Sequence, residues 1–144
     1  MILAADPGSE KTGMAVVEED GSLLIKKVIR TKEFEKEAED LLSSHPVSAF
    51  IMGNGTHHKE IQKRADAVLE KMGLPFRTIL VDEKYTTEMG EQWYWKDHPT
   101  NGLSRLIPKG MRTVPVPIDD YVAWIIGCIY LGKVKAEDVG HKKV

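Results

Sequence analysis

At 144 residues, with 42% hydrophobic and 29% charged residues and a single cysteine, the chain has the composition of one globular domain with a real core and no disulfide framework of its own. No apolar stretch approaches the ~20 residues of a membrane span, and the start reads as a strand rather than a signal peptide, so a cytoplasmic protein without membrane partners is expected. A formal net charge of −2 supplies no global attraction to nucleic acid; a nucleic-acid binder with this balance needs a local basic face or bound cations.

The apolar run Ile2-Leu3-Ala4-Ala5 predicts a buried strand over 2–6. Residues 13–18 and 23–30 predict a second and a third strand, with Asp20-Gly21 as a hairpin signal between them. Phe34, Ala38, Leu41 and Leu42 recur at helical spacing within 32–44, and Pro46 stops that helix. A short apolar strand over 48–52 runs into Gly53-Asn54-Gly55-Thr56. A helix follows from about His58 to Lys71, with Ile61, Ala65, Val68 and Leu69 on one face and Gly73 suited to its C-terminal cap. Residues 77–82 predict a fifth strand. Thr86 or Thr87 can cap a helix reaching about Lys96, and Pro99 ends it. Residues 99–117 are rich in Pro and Gly and read as a loop. The last helix starts near Ile118 or Asp119 and ends near Gly132. The expected organisation is a single domain over 1–132 and a polar tail over 133–144. The order of elements predicts an α/β fold: a five-stranded mixed sheet, an antiparallel meander plus parallel strands, with helices on both faces.

Three acidic positions share a setting. Asp6 ends the first apolar run and precedes Pro7-Gly8. Glu83 closes the run Thr78-Ile79-Leu80-Val81-Asp82. Asp119 and Asp120 open the apolar run from Tyr121 to Leu131. Carboxylates at strand ends and a helix start can converge in an α/β fold and hold a divalent metal through oxygen ligands. Each also has a plainer reading. Asp6 can cap the Pro7-Gly8 turn, and Asp119 after Pro117 can be an N-cap. Asp82 and Glu83 point to opposite sides of an extended segment, so only one faces a common site.

The remaining polar features divide in the same way. Gly53-Asn54-Gly55-Thr56 before a helix suits the approach of a phosphate, or simply a turn that needs flexible backbone. His57 and His58 lack the spacing of a zinc site and read as surface residues. Thr86 and Thr87 can touch a phosphate or cap a helix. Trp93, Tyr94 and Trp95 cannot all be buried on one helical face, so at least one lies near the surface, available for base stacking or for a lid or dimer contact. Arg105, Lys109 and Arg112 lie in a stretch, 99–113, without an acidic residue, a candidate for backbone contacts to nucleic acid or a solvated loop. Cys128 reads as a core residue.

With these pieces in order, the chain resembles the ribonuclease H-like superfamily, and within it the YqgF/RuvX-like group of Holliday-junction resolvases and pre-16S rRNA-processing nucleases. The matching segments are Ala5-Asp6-Pro7-Gly8 with Gly13-Met14-Ala15-Val16, Met52-Gly53-Asn54-Gly55-Thr56, Val81-Asp82-Glu83 with Thr86-Thr87, and Ile118-Asp119-Asp120-Tyr121-Val122-Ala123. They span roughly residues 2 to 131. The resemblance implies catalytic, metal-binding carboxylates at Asp6, Glu83 and Asp119, with Asp120 as an accessory ligand, and Mg²⁺ or Mn²⁺ as cofactor. Lys11 is the nearest match to the group's basic residue after the first glycine, Val122-Ala123 stands for its small-residue pair, and the 99–117 loop is longer than in its shortest members. The implied activity is metal-dependent hydrolysis of phosphodiester bonds in structured RNA or branched DNA, as in rRNA processing during ribosome biogenesis or junction resolution. It would leave a 5′-phosphate and a 3′-hydroxyl. Lys11, Thr56, Thr86, Arg105, Lys109 and Arg112 are the expected nucleic-acid contacts. A junction resolvase would be a homodimer, while RNA trimming can run on a monomer. Two other readings share the fold: a non-catalytic nucleic-acid-binding or ribosome-assembly factor, and a nucleotide-binding ATPase-like domain, whose machinery needs two such domains.

Overall fold

The computed structural model describes residues 1–55, 57–82, 89–90, 93 and 118–133. Five strands form one sheet in the order β3-β2-β1-β4-β5, with β1 Ile2–Asp6, β2 Lys11–Val17, β3 Leu23–Arg30, β4 Phe50–Gly53 and β5 Ile79–Val81. β1, β2 and β3 pair antiparallel, while β4 and β5 run parallel to β1. The helices are α1 Phe34–Ser44, entered through a 3-10 turn at Thr31–Glu33, α2 His58–Lys71, and α3 Asp119–Tyr130. Met89, Gly90 and Trp93 are also helical. This is the five-stranded mixed sheet that the order of elements predicts.

The period of two in β1 decides which helix covers which face. Leu3 and Ala5, with Met14, Val16, Phe50 and Met52, face the core under α1 and α2, where Phe34, Ala38, Leu41, Ile61, Ala65, Val68 and Leu69 meet them. Ile2 and Ala4, with Ala15, Val17 and Ile51, face Val122, Ala123 and Ile126 of α3. Burying an aliphatic side chain of this size contributes about 1.5–3 kcal/mol over leaving it exposed, so α3 is held by the sheet rather than by its own propensity. Trp93 stands edge-on to Trp124, ring centroids 4.6 Å apart, and Met89 packs with Ile125 beyond it.

Two boundaries follow from specific bonds. α2 ends where its sequence predicts, because Gly73 takes φ +72° and closes a Schellman turn: its N–H donates to Glu70 O at 3.0 Å, and Leu74 N–H donates to Leu69 O at 3.0 Å. β5 is shorter than the apolar run over 77–82. Thr78 leaves the ladder to donate both its N–H (2.8 Å) and its hydroxyl (3.0 Å) to Asp66 Oδ1 on α2.

Candidate active site

Asp6 continues the parity of Ile2 and Ala4 and therefore projects to the α3 face. Its cross-strand partner is Gly13. There is no room for a side chain with α3 where it lies: a Cβ on Gly13 would stand 1.8 Å from the Asp119 carbonyl oxygen and 2.8 Å from the Asp120 amide nitrogen. The missing side chain is thus what lets the N-terminus of α3 settle onto the end of β1 and β2. There Asp119 and Asp6 share a side-chain hydrogen bond, joining residues from the first strand and the last helix.

The capping alternative for Asp119 is not what the fold uses. The N-cap is Ile118, without a side-chain capping bond, and Asp119 is the first helical residue. Its carboxyl is pushed above the usual carboxylate range, chiefly by burial and then by the neighbouring Asp120 charge. The bond to Asp6 and the positive charge of Lys11 act in the opposite direction. Two carboxyl groups in hydrogen-bond contact require a proton or a cation between them.

Asp120 points elsewhere. Its Oδ2 accepts from Lys26 Nζ at 2.9 Å, on β3, and its Oδ1 accepts from the Tyr121 amide at 2.8 Å. Lys26 also lies 4.1 Å from the Tyr121 ring centroid. Of the two adjacent aspartates, Asp119 therefore meets Asp6, while Asp120 is engaged by Lys26. Sequence reading passes over Lys26; the signal for it is parity, because Lys26 pairs with Ala15 and so shares the α3 face.

The parallel strands bring further polar ends to the same sheet edge as Asp6. Gly53 pairs with Val81, and the Asn54 amide donates to Val81 O at 3.1 Å. The loop is turned back by His58, whose amide donates to Gly55 O at 3.1 Å while Nδ1 lies 2.6 Å from the same oxygen. Asp82 leaves β5 at this edge. Glu83, Thr56, Thr86, Arg105, Lys109 and Arg112, expected at the site, lie outside the described residues, as do Thr87, Tyr94 and Trp95. Among the described residues, no group of three or more His, Cys, Asp or Glu side chains is placed to hold a metal ion. The Asp6–Asp119 pair fits part of such a shell: hard carboxylate oxygens suit Mg²⁺ or Mn²⁺, and a cation would take the place of the shared proton.

Comparisons with known proteins bear on the family and the fold. Residues 1–89 match the family described as the Tex protein YqgF-like domain. No curated protein matches the chain. Among solved structures, "Thermus thermophilus RuvC structure" is similar with a TM-score of 0.52 at 15% identity, covering 87% of this chain and 88% of that one. "T. thermophilus RuvC in complex with Holliday junction substrate" is similar with a TM-score of 0.51 at 16% identity, covering 92% and 96%. At that identity the likeness is one of fold, the ribonuclease H-like fold. With the family match extending over more than half of the sequence, the chain belongs to the Tex protein YqgF-like domain family.

Proposed function

We propose that the protein is a divalent-metal-dependent nuclease that hydrolyses phosphodiester bonds in structured nucleic acid. The observation that carries this reading is the contact of Asp6 with Asp119, made between the first strand and the last helix on a fold shared with RuvC. One of the similar RuvC structures is described as a complex with a Holliday junction substrate, which supports nucleic acid as the partner. Asp6 and Asp119 would hold the cation, with Glu83 completing the set. When bound, Mg²⁺ or Mn²⁺ supplies Lewis-acid stabilisation of phosphoryl charge and a more acidic water. The chain's own groups do the rest. The carboxyl pair would exchange any shared proton for the cation, and the positive charge of Lys11 acts on Asp119. The sheet under Gly13 fixes the spacing between the two acidic residues.

Branched DNA and precursor ribosomal RNA are both substrates of this class. Symmetric cutting of a junction would require two copies of the chain, while trimming RNA requires one; either role belongs in the cytoplasm. Side-by-side cleavage of a four-way junction and a precursor rRNA stem, with Mg²⁺ or Mn²⁺, tests the proposal and separates the two. Wild-type protein should cut at least one substrate. Asp6→Asn keeps the volume and removes a ligand charge, so it should lose at least 10²-fold in rate while melting within a few degrees of wild type. A wild-type protein that binds both substrates and cuts neither, in either metal, would leave a binding factor instead.

A further inference from the structure

A cavity of about 350 Å³ opens where β2 begins and β3 ends, lined by Ser9, Glu10, Lys11, Arg30 and Lys32. Three cations face it against one carboxylate. Their placement is not incidental to the sheet. Lys11 and Arg30 are direct cross-strand partners on β2 and β3. Like charges opposite each other in a ladder oppose folding. Elsewhere in this region cations are matched: Lys26 holds Asp120, Lys27 holds Glu37 and Arg64 holds Glu35. Among the described residues, Lys11, Arg30 and Lys32 make no such ion pair.

The cavity's frame is built and stiff. The Thr31 amide donates to Glu10 O at 2.8 Å, its hydroxyl donates to Gly8 O at 2.8 Å, and its Oγ1 lies 2.8 Å from the buried Thr12 Oγ1. These bonds tie the loop after β1 to the end of β3, so the basic side chains spring from a fixed backbone. Lys11 stands two residues before Gly13 on β2, with the same parity, and Arg30 shares that face through its pairing. Two residues of strand span about 7 Å. Lys11 and Arg30 therefore stand on the α3 side of the cavity, Ser9 and Lys32 also line a second cavity with His57, Glu60 and Arg64 at the start of α2, and Lys11 is close enough for its charge to act on Asp119.

Building on the nuclease reading above, we propose that Lys11, Arg30 and Lys32 form a phosphate site that grips the nucleic-acid strand beside the bond to be cut. The strand would lie along the edge where β1 ends, one backbone phosphate over the carboxyl pair and a neighbouring one among the three cations. Arg30 and Lys32 act as positioning residues, setting the register of the strand without touching the reacting phosphate.

The test is nucleic-acid binding over a salt series, read by fluorescence anisotropy on a junction and on an RNA stem without divalent metal, so that binding is scored apart from cleavage. The variant is Arg30→Ala/Lys32→Ala in the full chain. Both residues are exposed, so melting should stay close to wild type. Affinity at low salt should fall about tenfold or more, and the slope of log K against log salt should become shallower by about 1 to 2. The control is Arg77→Ala/Lys133→Ala, which removes the same charge from positions outside the cavity. Equal losses in the two double variants would overturn the proposal, because the effect would then be net charge alone. So would unchanged affinity and slope in the Arg30/Lys32 variant, or a wild type that binds neither nucleic acid. A wild type that binds with the expected slope change but never cuts would sink the nuclease reading and leave the phosphate site standing.

Discussion

Gly13→Ala is the smallest change that separates the placement of α3 from its chemistry. The added methyl would fall inside the Asp119 carbonyl and 2.8 Å from the Asp120 nitrogen. Restoring ordinary contact, about 3.5 Å or more between such atoms, from the 1.8 Å to the Asp119 carbonyl oxygen requires the start of α3 to withdraw by roughly 1.5 Å or more. The obstacle is backbone on both sides, so no side-chain rotation relieves it. Overpacking of this kind costs about 1–3 kcal/mol, which for a chain of this length lowers Tm by roughly 3–10 °C. The larger effect should be on the site. A misplacement of about 1 Å is worth on the order of 10²-fold in rate, because Asp119 moves away from Asp6. The assays are thermal melting, Mn²⁺ binding and cleavage. Gly73→Ala is the matched control. It imposes a strained positive φ, at a cost of about 1–2 kcal/mol, where an added methyl meets nothing within 4 Å. It should lose a similar amount of stability and keep its metal affinity and rate. Gly13→Ala with wild-type metal binding would refute the close docking of α3 on β2. Equal functional losses in both variants would show that activity follows stability alone.

Two further outcomes follow from the titrating groups. Without divalent metal, the raised Asp119 pKa means that its stabilising contribution is complete below the ordinary carboxylate value and is lost as pH rises through the folded value. Asp119→Asn removes that loss, so its Tm should exceed that of wild type by a margin that grows across this acidic window and then stays level to neutral pH. Adding Mg²⁺ should raise the Tm of wild type and not of the variant, and an identical Mg²⁺ shift in both would remove Asp119 from the ligand set. The Cys128 thiol is buried, pushed up to about 11 by that burial, and its Sγ lies 3.5 Å from Gly21 O. A disulfide reagent at mildly alkaline pH should therefore label the native protein at least 10²-fold more slowly than the denatured chain; comparable rates would place Cys128 at the surface.

The elements that sequence reading places well are those whose signal is local. The spacing of Ile61, Ala65, Val68 and Leu69 with Gly73 behind them marks α2 at both ends, and the run from Tyr121 marks α3. The parity of Ile2, Ala4 and Asp6 already contains the side of the sheet on which Asp6 must lie. What no local pattern carries is contact across long separations. Asp119 and Asp120 look alike in sequence, and their separation into an Asp6 partner and a Lys26 partner depends on how α3 is rotated over β1 to β3. Gly13 reads as an ordinary strand residue until a helix more than a hundred positions later is laid against it. Arg30 and Lys32 read as the polar end of a strand, because the loop that makes them a cavity wall comes from the other end of the hairpin.

The α3 face of the sheet has a consequence for the order in which the molecule comes into being. Ile2, Ala4, Ala15, Val17 and Ile51 are covered by the same helix that delivers Asp119 to Asp6. Closing the hydrophobic layer and completing the carboxyl pair are therefore one event, and it spans almost the whole separation in the chain. Contacts of that separation are slow to form, and during synthesis the helix emerges after every strand it covers. A ribosome stalled before residue 119 would hold a sheet with α1 and α2 in place, one greasy face open to chaperones, and half an acidic pair. Chemical competence and escape from quality control would then arrive together, so an unfinished copy carries no working acidic site.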